Sequence, residues 1–148
     1  MYEAYYTIHS NIFEICATDE AIYSVKVVET RHNSNENSLT KECYRQLKLY
    51  FEGKLETFEL PLNPKGTLFQ QKVWKELQQI PYGETITYKD LAINIKNQKY
   101  CRAVGGACHN NPILIIIPCH RVLGSNKSLT GFAAGLTMKE FLLNLEKK

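Results

Sequence analysis

The chain has no apolar run near the ~20 residues that cross a bilayer, and no Cys-x-x-Cys spacing. Its start is tyrosine-rich and acidic, without the basic-then-apolar order of a signal segment. These absences lead to the expectation of a soluble cytoplasmic protein, nuclear if the source is eukaryotic, with no membrane partner. The five cysteines, at 16, 43, 101, 108 and 119, are odd in number, which disfavours a disulfide framework. Reduced thiols, no metal and no cofactor are expected. Glycine and proline are sparse, at 8 and 5 of 148 residues, and the 44% apolar content is that of a globular chain rather than a disordered one.

No single sign of charge dominates, yet the charge is unevenly spread. Residues 1–66 carry 7 Lys+Arg and 10 Asp+Glu, net −3, whereas residues 67–148 carry 11 and 5, net +6. A basic C-terminal part points mildly to a polyanion, most often nucleic acid, although an excess this small is also common on ordinary solvated surfaces. The sign changes at Pro61-Leu62-Asn63-Pro64-Lys65-Gly66, whose turn residues mark a linker. The predicted organisation is a domain over 1–62, a linker over 63–66 and a second domain over 67–148.

In the first domain, alternation predicts strands near residues 12–15 and 22–28, with a turn at Ala17-Thr18-Asp19-Glu20. Leu39, Cys43, Leu47, Tyr50 and Phe51 recur at helical spacing, with Gly53 placed to end that helix. Residues 55–62 read as another strand. In the second domain, Thr67 and Gln70 form a capping box before a helix with Phe69, Val73, Leu77 and Ile80 on one face. Thr87 and Asp90 open a short helix near 88–93, and a polar link leads to another over 100–109. Two short helices so joined have the shape of a helix-turn-helix. The second holds Gly105-Gly106, which cost a helix ~1 kcal/mol each relative to alanine, so either the segment is a poor helix or a close approach is required there, by a nucleic-acid backbone or by a packed helix. Thr137 and Glu140, flanked by Leu136 and Phe141, predict a second capping box with a hydrophobic staple. Glu146 then falls at the edge of that helix's apolar stripe, where a carboxylate usually has a partner, although on its own a frayed terminal glutamate beside Lys147 and Lys148 is the safer reading.

Residues 113–117, Ile-Leu-Ile-Ile-Ile, read as a buried strand closed by Pro118. Cys119 therefore lies just past a rigid element, with His120 and Arg121 beside it, surroundings that favour a thiolate. A cysteine-histidine pair alone is more often packing than chemistry. Its company decides otherwise.

The motifs Phe69-Gln70-Gln71-Lys72-Val73-Trp74, Pro81-Tyr82-Gly83-Glu84, Thr87-Tyr88, Arg102-Ala103-Val104-Gly105-Gly106-Ala107, Asn110-Asn111-Pro112 and Ile117-Pro118-Cys119-His120-Arg121-Val122 stand in one order. With Lys139-Glu140-Phe141-Leu142-Leu143 through Glu146, they resemble the O6-alkylguanine-DNA alkyltransferases, direct-reversal DNA repair proteins. The resemblance implies an α+β chain, with an N-terminal ribonuclease H-like sheet-plus-helix domain in a supporting role and a C-terminal helix-turn-helix, winged-helix-like domain. It implies a monomer that enters the minor groove of double-stranded DNA, flips out an O6-alkylguanine and transfers the alkyl group irreversibly to Cys119, once per protein. A relay from Glu146 through His120 and a water would activate the thiol, Tyr88 would donate to the leaving guanine, and Asn111 would serve as a hinge. Arg102 would fill the emptied place in the base stack. Lys89, Asn97, Ala103, Gly105, Gly106, Val122, Ser125, Phe132 and Ala133 complete the DNA- and substrate-binding residues that it implies.

This chain departs from the family in having Gly131-Phe132-Ala133 where many relatives have tyrosine and serine after the glycine. Phe132 keeps an aromatic wall without a hydroxyl, and Ala133 offers only its backbone N–H. Its Cys and His positions do not reproduce the structural zinc set of some relatives. Two competing readings remain, a cysteine hydrolase and a damage-binding regulator. The first lacks a glycine-rich turn or other protease signature at the thiol, and the second gives Cys119 no task.

Overall fold

The structure is a computed structural model that describes residues 1–124, 132 and 134–147. It divides into two compact units, Met1–Lys65 and Gly66–Lys148. No helix among the described residues is long and apolar enough to cross a membrane.

The first unit is an antiparallel sheet in the order β1 (Tyr2–Ile8), β2 (Asn11–Ala17), β3 (Ile22–Val28), packed against α1 (Ser38–Phe51). The register pairs Ala4 with Ile15 and Ile15 with Val25, so three buried side chains meet across one face. Helix α1 covers that face with Cys43, Leu47, Tyr50 and Phe51. Asn37 caps α1: its side chain accepts from the Thr40 N–H at 2.9 Å, while the Asn37 N–H donates to the Thr40 hydroxyl at 3.0 Å. Gly53, at φ 74°, follows the helix in the left-handed conformation expected of it.

The strand predicted over 55–62 is absent except for one bridge, Leu62 to Ile22. Its backbone is satisfied otherwise. The Gln46 side chain accepts from the Glu59 N–H at 2.9 Å and donates to the Glu59 carbonyl at 3.1 Å, imitating a neighbouring strand.

The second unit is built on α2 (Leu68–Leu77), α3 (Tyr88–Ile95) and α4 (Cys101–His109), which pack together. The Thr67–Gln70 capping box is present, and Thr87 caps α3 by accepting from the Asp90 N–H. Trp74 of α2 donates from its buried indole to the Ala107 carbonyl of α4 at 2.8 Å. A turn of 3-10 helix, Gln98–Tyr100, joins α3 to α4, completing a helix-turn-helix. Strands β4 (Ile86–Thr87) and β5 (Val122–Leu123) pair in parallel and set the start of α3 beside the chain that follows Cys119.

Two further expectations are corrected. Residues 113–117 form a buried turn rather than a strand: Ile116 N–H donates to Leu114 O at 2.8 Å, Ile117 N–H to Ile113 O at 3.1 Å, and Ile115 lies at φ 72°. An apolar run shows burial but not period, and a β-branched residue in the left-handed region costs on the order of 1–3 kcal/mol. The last helix, α5 (Leu136–Leu145), has no Thr137–Glu140 capping box; Gly135, at φ 96°, stands at its N-terminus without a side-chain cap. Thr137 already lies inside the helix, and the Leu136 and Phe141 of the predicted staple are exposed.

Candidate active site

Cys119 opens a single 3-10 turn, Cys119–Arg121, and is buried. Three elements meet there: the 113–117 turn before it, β5 after it and α5 from the chain end. Asn111 builds the approach. Its amide nitrogen donates to Ile117 O at 2.8 Å and to Cys119 Sγ at 3.2 Å, and its carbonyl oxygen accepts from the Ile113 N–H at 2.9 Å. One side chain thus closes the strained turn and touches the sulfur.

Burial pushes the Cys119 thiol up to about 11, against the smaller opposing effects of the Asn111 hydrogen bond and the Lys139 charge. The thiolate-favouring surroundings expected from His120 and Arg121 are therefore not found at rest, because both side chains turn to Glu146. His120 Nε2 lies 2.7 Å from Glu146 Oε2. Arg121 donates from Nε to Oε1 at 2.8 Å, from Nη2 to Oε2 at 2.9 Å, and from Nη1 to Ile80 O at 2.7 Å. All three side chains are buried, with Glu146 only 1% exposed.

Burial also holds the His120 pKa below its ordinary value, outweighing the attraction of Glu146, so the imidazole is neutral at pH 7. A neutral ring whose Nε2 faces a carboxylate carries its proton there, which leaves Nδ1 as the base. That nitrogen is buried and has no hydrogen-bond partner among the described residues. Phe132 lies edge-on to the His120 ring, with centroids 6.4 Å apart.

Lys139, on α5, is also fully buried; its ammonium donates to Val122 O at 2.7 Å and sits 5.8 Å from the centroid of the Tyr88 ring. Tyr88 is the first residue of α3 and half-buried. The structure thus gathers Cys119, His120, Glu146, Asn111 and Tyr88 around one buried polar cluster. Val122 is wholly buried, and its carbonyl serves Lys139.

The remaining residues from the sequence reading lie elsewhere. Arg102 and Ala103 are exposed on α4, as are Lys89 on α3 and Asn97 after it. The Asn97 side-chain oxygen is engaged locally, accepting from the Lys99 N–H at 2.9 Å. At Gly105 and Gly106 an added Cβ would meet nothing within 4 Å, so tight helix packing does not account for the pair. Ser125 and Ala133 lie outside the described residues.

Sequence reasoning missed the placement of Arg121 and the involvement of Lys139. The signal for Lys139 was present: positions 139, 142 and 146 share one helical face, and the middle one is the buried Leu142. Among the described residues no group of three or more His, Cys, Asp or Glu could hold a metal.

The arrangement matches known proteins along the whole chain. The 6-O-methylguanine DNA methyltransferase DNA-binding domain model matches residues 68–148, and the model of that family's ribonuclease-like domain matches residues 1–64. The methylated-DNA–protein-cysteine methyltransferase of Methanosarcina barkeri is 60% identical over 107 residues, 72% of this chain and 68% of the relative. The constitutive protein of that name from Bacillus subtilis is 48% identical over 122 residues, 82% of this chain and 73% of its own length. Among solved structures, Mycobacterium tuberculosis OGT in complex with DNA superposes with a TM-score of 0.90 at 36% identity, covering 98% of this chain and 92% of that one. The buried cysteine with its histidine and glutamate thus stands in a chain that belongs to the 6-O-methylguanine DNA methyltransferase family.

Proposed function

We propose that this protein repairs O6-alkylguanine in duplex DNA by moving the alkyl group to Sγ of Cys119. The observation that carries the reading is the buried His120–Glu146 pair beside a cysteine whose sulfur already accepts an Asn111 N–H. Because the resting thiol is neutral, a base must remove its proton, and His120 Nδ1 is the available one, acting through a bridging water. Glu146 keeps the other ring nitrogen protonated and steadies the imidazolium that forms. The S–C bond then forms as the bond from carbon to guanine O6 breaks. A soft thiolate suits attack on a saturated carbon. The departing guanine needs a proton or hydrogen bond, for which Tyr88 is the proposed donor.

The product is a thioether, which no group here hydrolyses, so each protein repairs one base. The target must leave the duplex to reach a buried sulfur. Recognition helix α4 is proposed to lie in the minor groove, where the open surface at Gly105 and Gly106 admits the DNA backbone and Arg102 fills the place of the extruded base. Lys89, Asn97 and Ala103 flank that surface. Phe132 walls the flipped base, the Ala133 N–H is offered to the guanine oxygen, and Val122 and Ser125 belong to the same DNA- and substrate-binding set. The 1–62 domain supports the 67–148 domain, and the protein works as a cytoplasmic monomer.

Intact-mass analysis after mixing with a duplex containing O6-methylguanine tests this reading. One added methyl group per protein, mapped to Cys119, is the expected result. Label on Cys101 or Cys108, many repaired bases per protein, turnover of an ester, or tight binding without transfer would each replace it.

A further inference from the structure

The sequence sets one cation, Arg121, near the nucleophile, and the structure turns it elsewhere. Arg121, next but one to Cys119, directs its fork onto Glu146 and the Ile80 carbonyl. The cation bonded to the strand that follows the nucleophile is instead Lys139, twenty residues along the chain, whose ammonium donates to Val122 O at 2.7 Å and whose charge opposes the rise in the Cys119 pKa. Lys139 is fully buried, and burying an ammonium is costly unless neighbouring groups compensate. Among the described groups around it are the Val122 carbonyl, the Tyr88 ring on α3, the Cys108 thiol on α4, and Cys119 and His120 of the 3-10 turn. Its hydrogen bond to Val122 O fixes it to β5, and β5 pairs with β4, which ends at the residue capping α3. The ammonium is thus held three residues beyond the nucleophile, at Val122 O, and 5.8 Å from the centroid of the Tyr88 ring.

We propose that Lys139 is the counter-cation of the Cys119 thiolate, a positioning residue that stabilises the anion as it forms and holds the Tyr88 ring beside it. The inference rests on the reading of Cys119 as the alkyl acceptor. When the proton leaves Sγ, negative charge appears in a buried site, and a charge already in place there acts more strongly than in bulk solvent. Asn111 adds one directed N–H, and Lys139 adds the charge. Arg121 has no part in this step beyond holding Glu146.

Two variants of the full-length protein test it. Lys139→Gln keeps a donor for Val122 O and removes the charge, and Lys139→Met removes both. The readouts are the pH dependence of Cys119 alkylation by iodoacetamide, followed by peptide mass mapping without DNA, and single-turnover transfer from a methylguanine duplex. In Lys139→Gln the iodoacetamide midpoint should rise by about one pH unit, with about tenfold slower transfer at neutral pH that recovers as pH is raised. Lys139→Met should repeat the rise, and duplex affinity should be unaltered in both. An unmoved midpoint in either folded variant overturns the proposal, even if transfer slows, because Lys139 would then be acting on structure alone. A third variant, Lys139→Arg, which keeps both the charge and a donor, guards against loss of fold in the other two: it should hold the wild-type midpoint, and a midpoint raised by about one pH unit in Lys139→Arg overturns the proposal. If wild-type Cys119 reacts with iodoacetamide yet takes no methyl group from the duplex, the reading of Cys119 fails instead, and the midpoint comparison still decides the role of Lys139.

Discussion

Glu146 accepts from two side chains adjacent in sequence, and that sharing changes what its removal does. A glutamine there has one acceptor oxygen for both His120 and Arg121, and it leaves the buried guanidinium without a counter-charge. Breaking a buried ion pair costs on the order of 3–5 kcal/mol, whereas loss of general-base assistance slows a reaction by roughly 10²–10⁴-fold. Glu146→Gln should therefore show both a lower melting temperature and a slower single-turnover rate. A variant that melts early but transfers at the wild-type rate would confine Glu146 to clamping Arg121. His120 makes a separate prediction about pH. Its folded pKa lies below the unfolded value of about 6.5, so below that pH the unfolded chain binds a proton that the folded one does not. The stability linked to His120 is complete above pH ~6.5 and is lost as the pH falls from there toward the lowered folded value. Melting temperature measured across that range should fall with acid more steeply in wild type than in His120→Gln. Equal slopes would mean that other groups set the acid limit.

Helix α4 holds two glycines that helix propensity disfavours, with open space where their side chains would be. Gly105→Ala should then stabilise the free protein by up to ~1 kcal/mol while weakening duplex binding, because the added methyl faces the proposed DNA surface. Melting temperature and duplex affinity, measured together, should move in opposite directions; a stabilised variant with unaltered affinity would remove α4 from the DNA interface. The elements legible in the sequence were those whose determinants are local. Thr67 with Gln70 and Thr87 with Asp90 are caps three residues apart, and both are found. Strand β1 escaped because Ala4 and Tyr5 are both buried, which breaks the alternation. Residues 55–62 and 113–117 misled because Gln46 and Asn111 side chains satisfy backbone groups that a strand would otherwise serve. The cluster around Cys119 shows the same limit. Chain adjacency placed Arg121 near the thiol but could not give the direction of its fork, and Lys139 joins the sulfur only once α5 folds back against β5.

Across the whole molecule, the charge is uneven: the second part carries the excess of +6, and Lys72, Lys75, Lys89, Lys96, Lys99 and Arg102 are all exposed on or between its first three helices. Phosphate contacts release counterions, so duplex affinity should fall linearly on a log–log plot against salt, with a slope near −0.9 for each phosphate neutralised. A free alkylguanine base has no phosphates and nothing to extrude, so its reaction with Cys119 should be nearly independent of salt. Arg102 separates charge from base extrusion. If it enters the stack, Arg102→Ala should lose duplex repair by more than one phosphate contact accounts for, at every salt concentration, while reacting with the free base at the wild-type rate. Arg102→Lys should recover the salt slope but little of the repair, because an ammonium lacks the planar surface that replaces a base. The measurement is the ratio of duplex rate to free-base rate for the three proteins across a salt series. A ratio unchanged by Arg102→Ala, or fully restored by lysine, would assign Arg102 to phosphate attraction alone and leave base extrusion to another residue of the second unit.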